Sequence, residues 1–232
     1  MFRSFGGDGF PVVRRSRLTG QPAARSGHLD LLVALEGIGV RRAVARDAEI
    51  YGEGSPCGGW YKVISGTVRI CKLMADGRRH IAEFCFAGDS FGLDIGGEHL
   101  FSAEAVSDAI VMRFPLHATR QLIDKNQHIA RGLCELTLRG HAHAQTRMLL
   151  LGRMTAIERV ASFLLELAER RDATRVLDLP MARLDIADYL GLTIETVCRV
   201  LSGFKRHGVI AIPSAHRIEL LDRDALAAAC DA

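Results

Sequence analysis

The hydrophobic pattern of this 232-residue chain switches from a run of strands to long helices at Pro115, and that switch limits the folds open to it. Upstream, from Val40, short runs alternate at period two or read apolar: Val44-Ala45-Arg46, Glu49-Ile50-Tyr51, Tyr61-Lys62-Val63-Ile64, Thr67 to Leu73, Ile81 to Phe86 and Ala109 to Phe114. Gly52, Gly54, Gly58, Gly59 and Gly66 bound several of them, and turns recur at roughly 8 to 12 residues, the spacing of an all-β unit. Asp76-Gly77 between two runs marks a hairpin, because glycine accepts the positive φ of a tight turn. Strands this short bury their apolar faces by closing on themselves as a sandwich or jelly roll.

Downstream of Pro115 the period is helical. Leu116 to Asp124 predicts a short helix, and Gln127 to about Leu151 a long one. Ile129, Leu133, Leu136, Gly140, His143, Arg147, Leu150 and Met154 follow alternating spacings of four and three along the latter. That is a coiled-coil seam, whose burial needs a partner helix. A homodimer is the expected partner; a helix packed on its own β-domain is the alternative. Thr155 caps a further helix to about Arg170, with Val160, Phe163, Leu164, Leu167 and Ala168 on its apolar face. Val176 to Leu179 is a short strand ended by Pro180.

Residues 182–208 read ARLDIADYLGLTIETVCRVLSGFKRHG. Ile186, Ala187 and Leu190 share one helical face, Gly191 supplies a sharp turn, and Thr193 is an N-cap for the next helix. Val197, Val200, Leu201 and Phe204 then face inward, and Gly208 closes the helix. Two short helices joined by a tight glycine turn form a helix-turn-helix. Ile194, Glu195 and Arg199 project from the first two turns of the second helix, where base edges are read. A carboxylate accepts from cytosine N4, a guanidinium donates twice to guanine, and an apolar side chain meets a thymine methyl. Glu195 and Arg199, four apart, are expected to hold each other. Arg183, Thr193 and Cys198 are expected to support this surface, and Lys205 and Arg206 to reach phosphates. Val209 to Leu221 reads as strand, turn at Pro213-Ser214-Ala215, and strand: a wing, with His216 and Arg217 at its tip as further phosphate contacts.

Composition excludes more than it assigns. Net charge is +3, and from Arg153 onward 11 Lys or Arg stand against 12 Asp or Glu, so bulk charge gives no case for nucleic acid. No run of about 18 apolar residues is present, so no membrane span is expected. Residues 1 to 27 hold Arg3, Arg14, Arg15, Arg17 and Arg25 against Asp8 with no sustained period, and read as a mobile tail. An Arg-rich, acid-poor start also occurs in organelle transit peptides, but no amphipathic stripe accompanies this one. It lacks a secretory signal pattern, which implies a cytoplasmic protein. His28 to Ile38 can form a short helix. Cys57, Cys71, Cys85, Cys134, Cys198 and Cys230 are widely and irregularly spaced without a C-x-x-C, so no metal site is expected. His80 and His99 lie far apart and His141-x-His143 points to two sides of a helix, so an enzyme is not expected.

WYKVISGTVRI with the later GDSFG, LLLGRMTAIERVASFLLELAER and DIADYLGLTIETVCRVL together resemble the cyclic-AMP receptor protein and FNR superfamily, its FixK-type branch in particular. The resemblance covers nearly everything after residue 28. It implies a homodimeric transcription regulator that reads a two-fold TTGAT-like site on double-stranded DNA; activation would add RNA polymerase as a partner. The family's base-reading pattern E-x-x-S-R stands here as Glu195-x-x-Cys198-Arg199. The FNR-type cluster needs several N-terminal cysteines, and none precedes Cys57. Members that bind cyclic AMP hold its phosphate with a Gly-Glu and an Arg-Ser pair; the matching residues are Gly92-Leu93 and Phe101-Ser102. Without both charged groups a phosphate would be buried unpaired. No cofactor and no effector are therefore expected, as FixK-type members are thought to act without one. A small-molecule-responsive or redox-responsive regulator is the alternative. For the latter, Cys198 lies beside Arg199, where oxidation would set negative charge against DNA.

The expected architecture is α+β. A mobile tail (1–27) precedes a β-roll of double-stranded β-helix or jelly-roll type (28–124), a dimerisation helix (125–152) and a winged helix-turn-helix (153–232).

Overall fold

The computed structural model describes residues 35, 37–94 and 97–230. The expected tail over 1–27 and most of the expected helix over His28–Ile38 lie outside them. Two four-stranded antiparallel sheets form the N-terminal half. The first runs β1 (Val40–Val44), β8 (Ala109–Pro115), β3 (Gly59–Ser65), β6 (Ser90–Phe91). The second runs β2 (Glu49–Tyr51), β7 (Ser102–Ala105), β4 (Thr67–Leu73), β5 (Arg79–Phe86). Val44, Ile50, Val63, Val68, Cys85, Ala103, Ala105 and Val111 form the core they share. This is the expected β-roll. Gly77 takes φ 83° in the β4–β5 hairpin, as Asp76-Gly77 required. One strand differs from expectation. The run at Val44-Ala45-Arg46 is the end of β1, not a strand of its own. Its chain turns at once, with Asp47 at φ 61° and the Ala48 N–H donating to the Ala45 carbonyl.

Helices α1 (Leu116–Lys125) and α2 (Gln127–Arg153) cover the outer face of the first sheet. Leu35, Trp60, Met112, Phe114 and Ile129 are buried between them, with Leu133 and Leu136 packed alongside. Trp60 keeps its indole N–H satisfied inside this layer by donating to Thr119 Oγ1 at 3.2 Å.

The seam on α2 is the main correction. Ile129, Arg147 and Leu150 are only 2, 6 and 8% exposed within a single chain, so they present no surface to a second one. Ile129, Leu133 and Leu136 pack on the β-roll, while Leu150 and Met154 join the C-terminal core. Arg147 lies over the Tyr189 ring at 3.4 Å and donates to its carbonyl oxygen at 2.7 Å. His143 Nε2 stands 3.9 Å from Glu166, and Gly140 is exposed. Apart from Gly140, these residues pack within the chain, as in the alternative reading. The opposite side of α2 stays open. Cys134, Leu138, His141 and Met148 are exposed there, Leu138 at 62% and Met148 at 74%.

The C-terminal half is α3 (Ala156–Arg170), β9 (Val176–Asp178), α4 (Arg183–Leu190), α5 (Ile194–Arg206), β10 (Ile210–Ser214), β11 (Arg217–Leu220) and α6 (Arg223–Ala228). Thr155 and Glu158 cap α3 reciprocally. The three strands pair in the order β10-β11-β9. The wing turn falls at Ala215-His216, later than expected. Pro213 and Ser214 finish β10, an edge strand, where the missing proline N–H leaves no ladder bond unmade. Val160, Phe163, Leu164, Ile186, Leu190, Val197, Leu201, Ile218 and Leu226 form the core. It runs without a break onto Ile81, Phe84 and Phe86 of β5, so the two halves share packed surface.

Candidate nucleic-acid interface

Helix α4 stops because Gly191 takes a left-handed φ of 62°, which a side chain would resist. The Leu192 N–H then closes onto the Ala187 carbonyl. Thr193 caps α5 by accepting from the Thr196 N–H at 3.3 Å. At the far end Gly208 (φ 71°) lets the Val209 N–H reach the Phe204 carbonyl at 2.9 Å, a Schellman closure. Both helix ends thus sit where the sequence placed them. Val197 and Leu201 bury one face of α5, and the other face is exposed over Ile194, Glu195, Cys198, Arg199, Lys205 and Arg206.

The expected Glu195–Arg199 clasp is absent: among the described residues no ion pair within 4.0 Å joins them. Glu195 turns instead toward the helix start. Its own backbone N–H and the Thr193 hydroxyl, and only then Arg199, hold its carboxyl below the usual glutamate range. The carboxylate therefore stays charged, and Arg199 acts on it through space without a close ion pair. Arg183, at the start of α4, is half-buried; burial lowers its pKa, and the Cys198 thiol is near enough to act on it. Its Nη1 is buried without a hydrogen-bond partner. The wing residues are tied down more than expected. His216 Nδ1 lies 3.0 Å from the Leu179 carbonyl, and Arg217 stands 3.6 Å from Asp178.

Three groups outside the expected set place the helix pair. Asp185, only 5% exposed, accepts from the Ala182 N–H and bridges to Arg79 at 2.5 Å and Arg69 at 3.5 Å, both on the β4–β5 hairpin. Asp188 adds a second bridge to Arg79 at 2.8 Å. Arg159 donates to the carbonyls of Leu151, Met154 and Leu190, tying α2, α3 and α4 at one point. The cue for Arg147 was already in the sequence, as a charged residue in an apolar seam. Asp185 gave none, because nothing local marks a partner 116 residues away, and Arg159 gave none because its acceptors are backbone carbonyls.

Comparison with known proteins agrees with this geometry. Residues 158–229 match the Crp-like helix-turn-helix domain and residues 41–126 the cyclic nucleotide-binding domain. The nitrogen fixation regulation protein FixK of Azorhizobium caulinodans is 45% identical over 194 residues, 82% of this chain and 78% of that protein. The chain belongs to the FixK branch of the cyclic-AMP receptor protein and FNR superfamily. The FixK of Rhizobium meliloti is 42% identical, over 79% of this chain and 83% of its own length. The structure of FixK2 from Bradyrhizobium japonicum matches with a TM-score of 0.79 at 41% identity, covering 82% of this chain and 96% of that one. These relatives are transcription regulators, not enzymes, and this chain is a DNA-binding regulator. No helix among the described residues is long and apolar enough to cross a membrane.

In the β-roll, the residues expected to mark a nucleotide site touch other parts of the chain. A Cβ at Gly92 would meet the Tyr51 and Tyr61 rings at 3.2 Å. Ser102 Oγ accepts from the Glu53 N–H at 2.9 Å. Phe101 lies under Lys72, whose ammonium is 5.9 Å from the ring centre. His99, expected to lie far from His80, lies against Asp94 and Cys57.

Proposed function

We propose that the protein works as a homodimeric transcription activator, reading a two-fold TTGAT-like site with Ile194, Glu195 and Arg199 and needing no small-molecule effector. The observation that carries this reading is the exposed face of α5. It presents an apolar, an anionic and a cationic side chain within two turns, opposite a face buried on α3. Lys205 and Arg206, exposed at the end of the helix, contact phosphates and fix its register on the duplex. The open side of α2, with Cys134, Leu138, His141 and Met148, takes the second chain. It replaces the inward seam as the dimer surface. RNA polymerase is the partner that activation requires, in the cytoplasm where the DNA lies.

Unbiased selection of binding sites with the purified protein tests the reading. The expected product is a palindrome with half-sites about one helical turn, roughly 34 Å, apart. Charge at the open side of α2, as in Leu138→Glu, is expected to yield monomers that lose the full site. Selection of single, non-repeated half-sites by the unaltered protein contradicts the dimer.

A redox brake on the same surface is a second reading, favoured by Cys198. Its thiol is exposed on α5 one position before Arg199 and near enough to the Arg183 guanidinium to act on its charge. Peroxide is expected to abolish DNA binding in the wild type and spare Cys198→Ser. Equal loss in both removes the brake.

A further inference from the structure

Cys57 lies in the loop between β2 and β3, and Asp94 and His99 lie in the loop between β6 and β7. One donor atom from each falls within 4.8 Å of the other two. His99 is 2% exposed, with Nδ1 2.7 Å from Asp94 Oδ2 and its ring stacked on Tyr51 at 3.6 Å. The Cys57 sulfur faces the carbonyl oxygens of Gly59, Gly92 and Asp94, each at 3.8 Å. The loops are laced by backbone bonds on both sides of these residues. The Gly54 N–H donates to the His99 carbonyl at 2.8 Å, the His99 N–H to Ser55 at 2.9 Å, and the Cys57 N–H to Gly97 at 2.8 Å. The three donors are therefore held together before any ligand arrives.

We propose that Cys57, Asp94 and His99 bind a divalent transition metal of the zinc class. A thiolate, an imidazole and a carboxylate suit such a borderline ion and disfavour magnesium or calcium, which take oxygen donors. Metal–ligand bonds of about 2.0–2.3 Å in a tetrahedron set the donor atoms roughly 3.3–3.7 Å apart. No separation here therefore has to close by more than about 1 Å, and the His99–Asp94 contact opens by about half that. Binding sends the Cys57 thiol proton to solvent, and a metal held through His99 Nδ1 shifts the ring proton to Nε2, so affinity rises with pH. Three protein donors leave a fourth position for water or an exogenous ligand. The site lies in the β-roll, apart from the DNA-reading helix, and stands or falls independently of the base contacts.

Titration of the metal-free full chain with Co2+ tests this. The expected result is one Co2+ per chain with a thiolate-to-cobalt charge-transfer band in the near ultraviolet, displaced by Zn2+. The band is expected to vanish in Cys57→Ser and to need about tenfold or more Co2+ in Asp94→Asn and His99→Gln. It should persist when the exposed thiols are removed in Cys134→Ser/Cys198→Ser. No band in the wild type, or one that survives Cys57→Ser, overturns the site. Alkylation of Cys57 in the unaltered protein, read by mass spectrometry, keeps the question decidable if the variants misfold. Zn2+ is expected to slow it about tenfold, and an unchanged rate overturns the proposal.

Discussion

The two helices of the helix-turn-helix differ in where their charge goes. On α4, Asp185 and Asp188 are engaged with Arg69 and Arg79 of the β-roll, and Tyr189 holds Arg147 of α2. On α5, Glu195, Arg199, Lys205 and Arg206 are exposed, and none makes an ion pair within 4.0 Å among the described residues. One helix is fixed by interactions inside the chain, and the other keeps its polar groups for something outside it. This divides labour physically: α4 sets the angle at which α5 is presented, and α5 leaves its charged side chains exposed.

Disrupting α4 is expected to have the largest effect, and chiefly on stability. Asp185→Ala leaves Arg79 and Arg69 facing each other without their buried carboxylate. The Ala182 N–H loses its acceptor, but Arg69 keeps Glu104 and Arg79 keeps Asp188, so the cost lies at the low end for a broken buried pair, about 3 kcal/mol. For a chain of this size that lowers the melting temperature by roughly 6–12 °C, measurable by calorimetry. DNA affinity should fall by the same factor on every sequence. A changed base preference in Asp185→Ala would mean that α4, too, reads bases, and the division would fail.

On α5 the expectation reverses. Arg199→Ala is expected to leave the melting temperature nearly unchanged. It should cost about 1–3 kcal/mol on the preferred site and blur one base position. Competition binding over single-base site variants checks this. Intact discrimination in Arg199→Ala would remove the base-reading assignment. The absence of a Glu195 clasp sharpens the point, because each of the two groups should then control its own base position.

The contrast also shows what a sequence can disclose. Local chemistry was legible: Asp76-Gly77 for the hairpin, Thr155 and Thr193 for helix starts, Gly191 and Gly208 for helix ends. These depend on neighbours a few residues away. Identity of the partner surface was not. The four-three spacing of Ile129 to Met154 correctly marks a buried face of α2. Spacing alone cannot say whether that face meets another chain or the same one. His143 and Arg147 were the clue, since they meet Glu166 and the Tyr189 ring rather than a partner's aliphatics. The Cys57, Asp94 and His99 cluster was invisible for a related reason. Its donors come from two loops joined through backbone bonds, with no short motif between them.

The smallest expected effect lies at the far end of α5. Lys205 and Arg206 follow Leu201, the last buried residue of the helix, and are exposed at its far end. Lys205→Ala should therefore weaken binding to specific and random DNA alike. Losing one phosphate contact reduces the slope of log affinity against log salt by about one unit. Fluorescence titrations at several salt concentrations measure it. A slope unchanged by Lys205→Ala, with a sharper loss on the preferred site, would move this lysine from the phosphates to the bases. The boundary between reading and anchoring would then lie beyond Arg199, and the whole exposed length of α5 would have to be counted as recognition surface.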